Sequence, residues 1–172
     1  MDDPVGLAEW ALEVPEEMRT DSLWRLPAYR FSLFLGDLAQ LHDAPLVRAD
    51  YRTRKHLDQL LGAVGSISAN IAEGYGRSTG PERARFYEYA NSSAREARDW
   101  YFKVRHALAP GVAGERIALL TRVMKIQTVA TVRERAEPET RARRASRPAA
   151  PPEGETPGEE VPPHPASPSH QH

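Results

Sequence analysis

Four stretches of apolar residues at helical spacing constrain the fold of this chain more than any other feature of its sequence. The clearest stretch falls on one face of a helix and consists of Leu57, Leu60, Leu61, Val64, Ile67 and Ile71. Similar patterns predict helices over residues 27–41, 49–73, 81–108 and 113–136, separated by turns that contain proline or glycine. No segment shows the alternation of a β-strand. The sequence therefore predicts an all-α fold, an antiparallel up-down four-helix bundle.

The net charge of −1 is an average over three unlike segments. Residues 1–23 carry one basic and seven acidic side chains, residues 24–136 carry 18 and 11, and residues 137–172 carry four and six. The last segment also holds nine of the 15 prolines and too little apolar surface to offset the entropy of ordering. We therefore predict an acidic N-terminal extension (1–23), a helical bundle (24–136) and a disordered Pro-rich tail (137–172).

The acidic extension has two interpretations. Leu7, Trp10, Ala11 and Val14 share one face of a short helix, so this piece either docks on the body of the protein or on a partner. Alternatively, it is a loosely held extension.

The sequence lacks the common signatures of enzymes and metal sites. The chain has no cysteine, no Glu-x-x-His pair and no Gly-x-x-x-x-Gly-Lys phosphate loop, and its histidines within the bundle are isolated. We predict no catalytic residue, no metal site and no cofactor. The acidic start and the absence of a long apolar run predict a cytoplasmic protein with no membrane partner.

The end of the second predicted helix carries polar side chains beside an apolar face. Such groups need hydrogen-bond partners when they lie at the edge of a core, and the third helix offers serines and a glutamate at matched spacing. We predict a structural cluster across this hairpin, with Arg77 near the turn. The predicted cluster comprises Ser66, Asn70, Glu73, Ser93 and Glu96. The alternative is that Glu73 and Glu96 meet as an acid–base pair.

The same stretch carries a family resemblance. Residues 66–77 read S-I-S-A-N-I-A-E-G-Y-G-R, and Arg85-Phe86, Ala90, Ser93 and Glu96 follow. This resembles the pattern S-I-P-x-N-I-A-E-G-x-G-R, then R-F, then A-x-G-S-x-x-E. The pattern is that of the four-helix-bundle family of bacterial 23S ribosomal RNA intervening-sequence proteins, related to the accessory variability determinant of diversity-generating retroelements. Ser68 replaces the proline of the pattern, and Ser92 replaces the glycine of A-x-G-S.

The resemblance covers roughly residues 27–135 and has implications for assembly and function. It implies a left-handed antiparallel bundle that commonly assembles as a homopentamer, and it implies no enzyme activity. For the retroelement member it implies binding to nucleic acid and to a reverse transcriptase.

The basic residues of the bundle independently favour a polyanion as partner, because phosphate binding needs several cations on one surface. Three of them are expected on one face of the second helix, and others on the third helix away from its apolar stripe. The predicted nucleic-acid contacts are Arg48, Arg52, Arg54, Lys55, Arg77, Arg83, Arg85, Arg95, Arg98 and Arg105.

The fourth helix has apolar residues on more than one face, which predicts a second buried surface and hence a homo-oligomer. The leading interpretation is a non-enzymatic oligomer that binds RNA or DNA. The alternatives are a protein-binding adaptor without a nucleic-acid role and, ranked last, an enzyme that uses Glu73 and Glu96.

Overall fold

A computed structural model describes residues 6–136, which contain helices and turns but no β-strand. Short 3₁₀ turns span Ser22–Arg25, Arg54–His56 and Arg105–Ala107, and a π-helical turn spans Leu38–Asp43. The α-helices are α1 Leu7–Glu13, α2 Glu16–Thr20, α3 Pro27–Asp37, α4 Ala44–Ala49, α5 Leu57–Tyr75, α6 Gly80–Val104 and α7 Val112–Ala136. The predicted all-helical fold is confirmed for this part of the chain. The predicted tail lies outside the described residues.

Four of the helices share one apolar core. α5 packs on α6, α6 packs on α7, and α3 contacts both α5 and α7. Leu35, Leu60, Ile67, Leu120 and Val123 are fully buried between them. Each such side chain contributes about 1.5–3 kcal/mol by leaving water. None of the helices described here is long and apolar enough to cross a bilayer.

The predicted boundary between the first two helices was wrong. The helix that begins at Pro27 does not end near residue 41 but continues through the π-helical turn to Ala49. Pro45 lies in the first turn of α4, where a missing N–H is tolerated. The break comes later, where the Thr53 hydroxyl donates to the Val47 carbonyl over 3.0 Å. α5 therefore begins at residue 57 and not at residue 49.

The α5–α6 hairpin is held by a close approach of its two helices. A Cβ atom added at Gly74 would lie 2.9 Å from the Cβ of Phe86 and from Cε1 of Tyr87. At the start of α6, the Thr79 hydroxyl accepts from the Glu82 N–H and donates to its carboxylate, which is a reciprocal helix cap. These contacts place the end of α5 against the first turns of α6.

The buried face of α6 differs in part from the one that the sequence predicts. The helical spacing of Tyr89, Ala90, Ala97 and Tyr101 predicts that all four face the core. The last three are buried, but Tyr89 is 42% exposed and Tyr87 is buried in its place. Fully buried alanines at positions 84, 90, 94 and 97 line this face. Alanine carries little apolar bulk, so the larger aromatic residues dominate the sequence pattern. They shift the predicted core-facing side of α6 by one residue near Tyr89.

The N-terminal segment docks on the body of the protein. Leu7 is buried, and the Trp10 indole N–H donates to the Asp37 carboxylate over 2.7 Å. The Trp10 ring also contacts the rings of Trp24 and Phe34 at centroid distances of 6.0 and 5.4 Å. Of the two interpretations of this segment, the structure supports docking. The division of the chain at residue 23 stays a prediction.

Candidate nucleic-acid interface

The cations predicted to contact nucleic acid are divided between the two ends of the α5–α6 hairpin. The His56 ring stacks on the Trp100 ring at 5.3 Å, which places the start of α5 beside the last turns of α6. The turn between the helices lies at the opposite end. Arg85 lies in the second turn of α6, and Arg105 directly follows this helix. The two are twenty residues apart, which corresponds to about 30 Å at a rise of 1.5 Å per residue. The predicted residues therefore do not form one continuous surface.

One end of the hairpin gathers most of the exposed cations, and we call residues 48–56 together with residues 98–106 the basic end. Arg48 lies in the last turn of α4, while Arg54 and Lys55 lie in the 3₁₀ turn before α5. All three are exposed, and none forms an ion pair with another described residue. The prediction that Arg48, Arg52 and Lys55 share one face of the second helix is wrong, because all three precede α5, on α4 or in the turn after it. They still reach the same end of the molecule.

In the turn between α4 and α5, Arg52 forms an ion pair with Asp50. Its guanidinium holds the Asp50 carboxylate at 2.7 Å, and the Arg52 backbone N–H donates to the same carboxylate. These hydrogen bonds lower the pKa of Asp50 to about 2. Asp50 therefore remains ionised and shapes the turn.

The α6 part of the basic end contributes Arg105 and the half-buried Arg98. Arg105 donates to the Phe102 carbonyl over 2.6 Å and lies 4.0 Å from the centroid of the Phe102 ring. Arg95 is exposed one turn before Arg98. These positions confirm that the three cations lie outside the buried face of α6.

Exposed aromatic side chains lie among these cations, and they were not among the residues predicted from the sequence. Tyr51 is 77% exposed and Phe102 is 56% exposed. The Lys103 ammonium lies 4.1 Å from the centroid of the half-buried Trp100 ring. One signal for this arrangement was present in the sequence, because residues 48–55 place a tyrosine within a run of basic residues.

At the opposite end, Arg83 is not available to a ligand, and its prediction as a nucleic-acid contact was wrong. Its side chain is 5% exposed. Its Nε donates to Glu134 over 2.7 Å and its Nη1 donates to the carbonyls of Arg77 and Ser78. Arg83 thereby ties the hairpin turn to the end of α7.

The other two predicted contacts at that end, Arg77 and Arg85, are exposed but bonded to neighbouring side chains. Arg77 pairs with Glu73 and lies 4.8 Å from the centroid of the Phe86 ring. Arg85 donates from Nε to the Tyr89 hydroxyl over 2.7 Å. This end therefore offers fewer free cations than the basic end.

The polar side chains predicted to bridge the hairpin bond within their own helices. The Ser66 hydroxyl donates to the Gly62 carbonyl over 2.8 Å, and the Asn70 amide donates to the Ser66 carbonyl over 2.7 Å. Glu96 accepts from the Trp100 indole over 3.3 Å. Ser93 is half-buried on α6. The hydrogen bonds that these residues form therefore do not set the register of the hairpin.

Glu73 and Glu96 do not meet. Gly74 lies against Tyr87, and Glu96 is nine residues further along α6, which is about 13 Å at 1.5 Å per residue. The arrangement needed for a carboxylate acid–base pair is absent between these two residues.

A buried polar cluster that no sequence pattern indicated lies behind the basic end. The Asp43 carboxylate, 1% exposed, accepts from the Tyr101 hydroxyl over 2.9 Å and from Arg116 Nε over 3.0 Å. Burial and the nearby carboxylate raise the pKa of Tyr101, so its hydroxyl remains a donor. The cluster joins the π-helical turn to α6 and α7. Within residues 6–136, no group of three side chains is arranged to hold a metal ion.

The family comparison covers the α5–α6 hairpin and the basic end except Arg48. The model of the 23S rRNA-intervening sequence protein family matches residues 49–108. Searches of curated proteins and of solved structures found no match. The predicted resemblance to this family is thus confirmed over residues 49–108, where the chain is similar to the 23S rRNA-intervening sequence protein family. The relation to retroelement accessory proteins stays a prediction.

Proposed function

We propose that this protein is a non-enzymatic, oligomeric, cytoplasmic protein that binds RNA or DNA through its basic end. In this proposal α3, α5, α6 and α7 run alternately up and down as a four-helix bundle, and the bundle holds the basic end rigid. The family description refers to 23S rRNA, which is compatible with association with nucleic acid.

The density of exposed cations at the basic end is the observation that carries the proposal. Arg48, Arg54 and Lys55 lie within eight residues, and Arg105, directly after α6, lies at the same end of the hairpin. A polyanion gains from such a cluster because each phosphate contact releases condensed counterions. The remaining predicted cations lie apart from this cluster, bond to neighbouring side chains or are buried.

A pair of lysine substitutions tests the proposal. Lys55 and Lys125 are both exposed, but Lys125 lies on α7 away from the basic end. Lys55→Glu and Lys125→Glu change the net charge equally. We expect Lys55→Glu to weaken binding of a labelled oligonucleotide and to lower the slope of log K against log salt by about one. The matched variant should bind like the wild type.

Fluorescence anisotropy between about 50 and 200 mM salt measures both quantities. An affinity that does not depend on the salt concentration and changes equally with the two substitutions would contradict a phosphate-binding basic end.

Self-association is a second part of the proposal, and exposed apolar residues on α7 support it. Val129 is 70% exposed and Val132 is 63% exposed, one turn apart on the same helix. Burial of this surface between copies would remove it from water, and the family resemblance suggests a pentamer. A solution mass well above 19.2 kDa is expected, whereas a monomer would contradict the assembly.

The same valines favour one alternative, a protein-binding adaptor in which α7 contacts a different protein. A reverse transcriptase is the specific partner suggested by the resemblance to retroelement accessory proteins. A neighbouring reverse transcriptase gene would support that version of the proposal.

A further inference from the structure

We infer that the basic end binds single-stranded nucleic acid and stacks unpaired bases on its aromatic side chains. This inference rests on the proposed function and specifies its ligand. The observation behind it is the pairing of exposed aromatic rings with cations at one end of the molecule.

Tyr51 is the most exposed of these rings. It lies in the turn between α4 and α5, next to Arg52 and three residues before Arg54. The carboxylate of Asp50 holds the Arg52 side chain and backbone, and the Thr53 hydroxyl anchors the turn to α4. The turn therefore presents the tyrosine ring from a backbone that is already ordered.

The last turns of α6 supply further rings. The His56–Trp100 stack lies on one side of this helix, and Lys103 lies over the tryptophan ring. Phe102 is two residues beyond Trp100, which places it about 200° around the helix. The guanidinium of Arg105 lies 4.0 Å from its ring centroid. His56 and Lys103 therefore already lie against the tryptophan ring, and Phe102, 56% exposed on another side of the helix, is the ring of this region that a base can reach.

This combination fits a single strand better than a duplex or a protein. A duplex buries the faces of its bases, so a ring gains little from it, whereas an unpaired base stacks on tyrosine, phenylalanine or tryptophan while its phosphates meet nearby cations. Protein interface cores are depleted in charged residues, but here Tyr51, Trp100 and Phe102 each have a cation beside them.

The experiment compares the full-length protein with four variants. The probes are labelled oligonucleotides of about 12 nucleotides, prepared as RNA and as DNA, single-stranded and annealed. We expect the wild type to bind the single strands more tightly than the duplexes. Tyr51→Ala and Phe102→Ala should each weaken single-strand binding about fivefold or more, with duplex binding unchanged.

Two controls separate stacking from other effects. Tyr51→Phe keeps the ring and should retain wild-type affinity. Tyr75→Ala removes a ring that is 39% exposed at the opposite end of the hairpin and should also leave binding unchanged. Because all these side chains are exposed, the variants should keep the wild-type circular dichroism spectrum and melting temperature.

The outcomes distinguish this inference from the proposed function. Equal or tighter duplex binding would overturn the inference, and so would loss of affinity on Lys55→Glu with none on Tyr51→Ala and Phe102→Ala. Either result leaves phosphate binding by the basic end intact. Salt-independent binding, or no binding of any probe, would overturn both. The relative affinities for RNA and DNA identify the sugar that the site accepts.

Discussion

At the scale of single residues, two glycines on α5 differ in the space around them, and this space decides whether a side chain could replace the hydrogen. Gly74 faces Phe86 and Tyr87 so closely that a Cβ atom would overlap them. Gly62 faces open space, and a Cβ atom added there would have no neighbour within 4 Å. A glycine inside a helix suggests that another backbone packs against it, and within the described chain Gly62 has no such neighbour.

These surroundings give opposite predictions for the same substitution. Gly74→Ala should lower the free energy of unfolding by about 1–3 kcal/mol, because the added methyl group overpacks the hairpin. Gly62→Ala should raise it by up to about 1 kcal/mol through helix propensity alone. Urea denaturation followed by circular dichroism measures both. An equal effect of the two substitutions would contradict the close approach at Gly74.

Side-chain roles were the least predictable part of the candidate site. An arginine on a helix next to a turn is usually solvated, and nothing in the pattern around Arg83 indicates that it donates to two carbonyls and to Glu134. These partners are brought together by the fold, since Glu134 is 51 residues away. The exposed cations Arg54 and Lys55 were identified although they lie in a turn and not on the predicted helix, because a charged side chain is rarely buried without a partner.

At the scale of elements, the existence of the long helices could be predicted and the junction between the first two could not. Apolar periodicity reports which face is buried, and it identified α5, α6 and α7. The junction depends on the π-helical turn, where hydrogen bonds span five residues instead of four. No periodicity in the sequence marks that change, and Pro45 was therefore assigned to a break.

The buried cluster that joins this turn to α6 and α7 makes a prediction at the same scale. Tyr101→Phe should lower the free energy of unfolding by about 1–2 kcal/mol, because it removes one donor from the Asp43 carboxylate. Asp43→Asn should cost more, about 3 kcal/mol or above, because it removes the buried charged partner of the Arg116 guanidinium and leaves only the exposed Glu115 carboxylate at 3.7 Å.

Tyr75→Phe is the control for this pair, since the Tyr75 side chain is exposed. It should change stability by less than about 0.5 kcal/mol. Denaturant unfolding of the three variants ranks them, and a neutral Asp43→Asn would show that the cluster does not stabilise the fold.

At the scale of the whole molecule, residues 7–23 of the acidic N-terminal segment pack on the helical body. Trp10→Ala should lower the free energy of unfolding by about 2 kcal/mol, because it removes the contacts with Phe34 and Trp24 and the hydrogen bond to Asp37. Leu12→Ala on the same helix is the control, since Leu12 is 74% exposed and should be nearly neutral. Equal unfolding midpoints for the two variants would show that the docking is weak.

The sequence could predict how charge is divided along the chain but not how it is arranged in space. Counting residues identified the basic excess of segment 24–136. Its concentration at one end depends on the antiparallel return of α6, which brings residues 98–106 beside residues 48–56. Helical periodicity predicts faces along a helix, and it carries no information about which ends meet.

The π-helical turn also affects how the chain tolerates changes in length. Because such a turn contains about one residue more than an α-helical turn, losing one residue there converts it to α-helix while α3 and α4 keep their relative phase. The same deletion inside α5 would rotate every following side chain of that helix by about 100° and turn its apolar face away from the core. The loss of one residue should therefore be tolerated within residues 38–42 of the π-helical turn and not within Leu57–Tyr75.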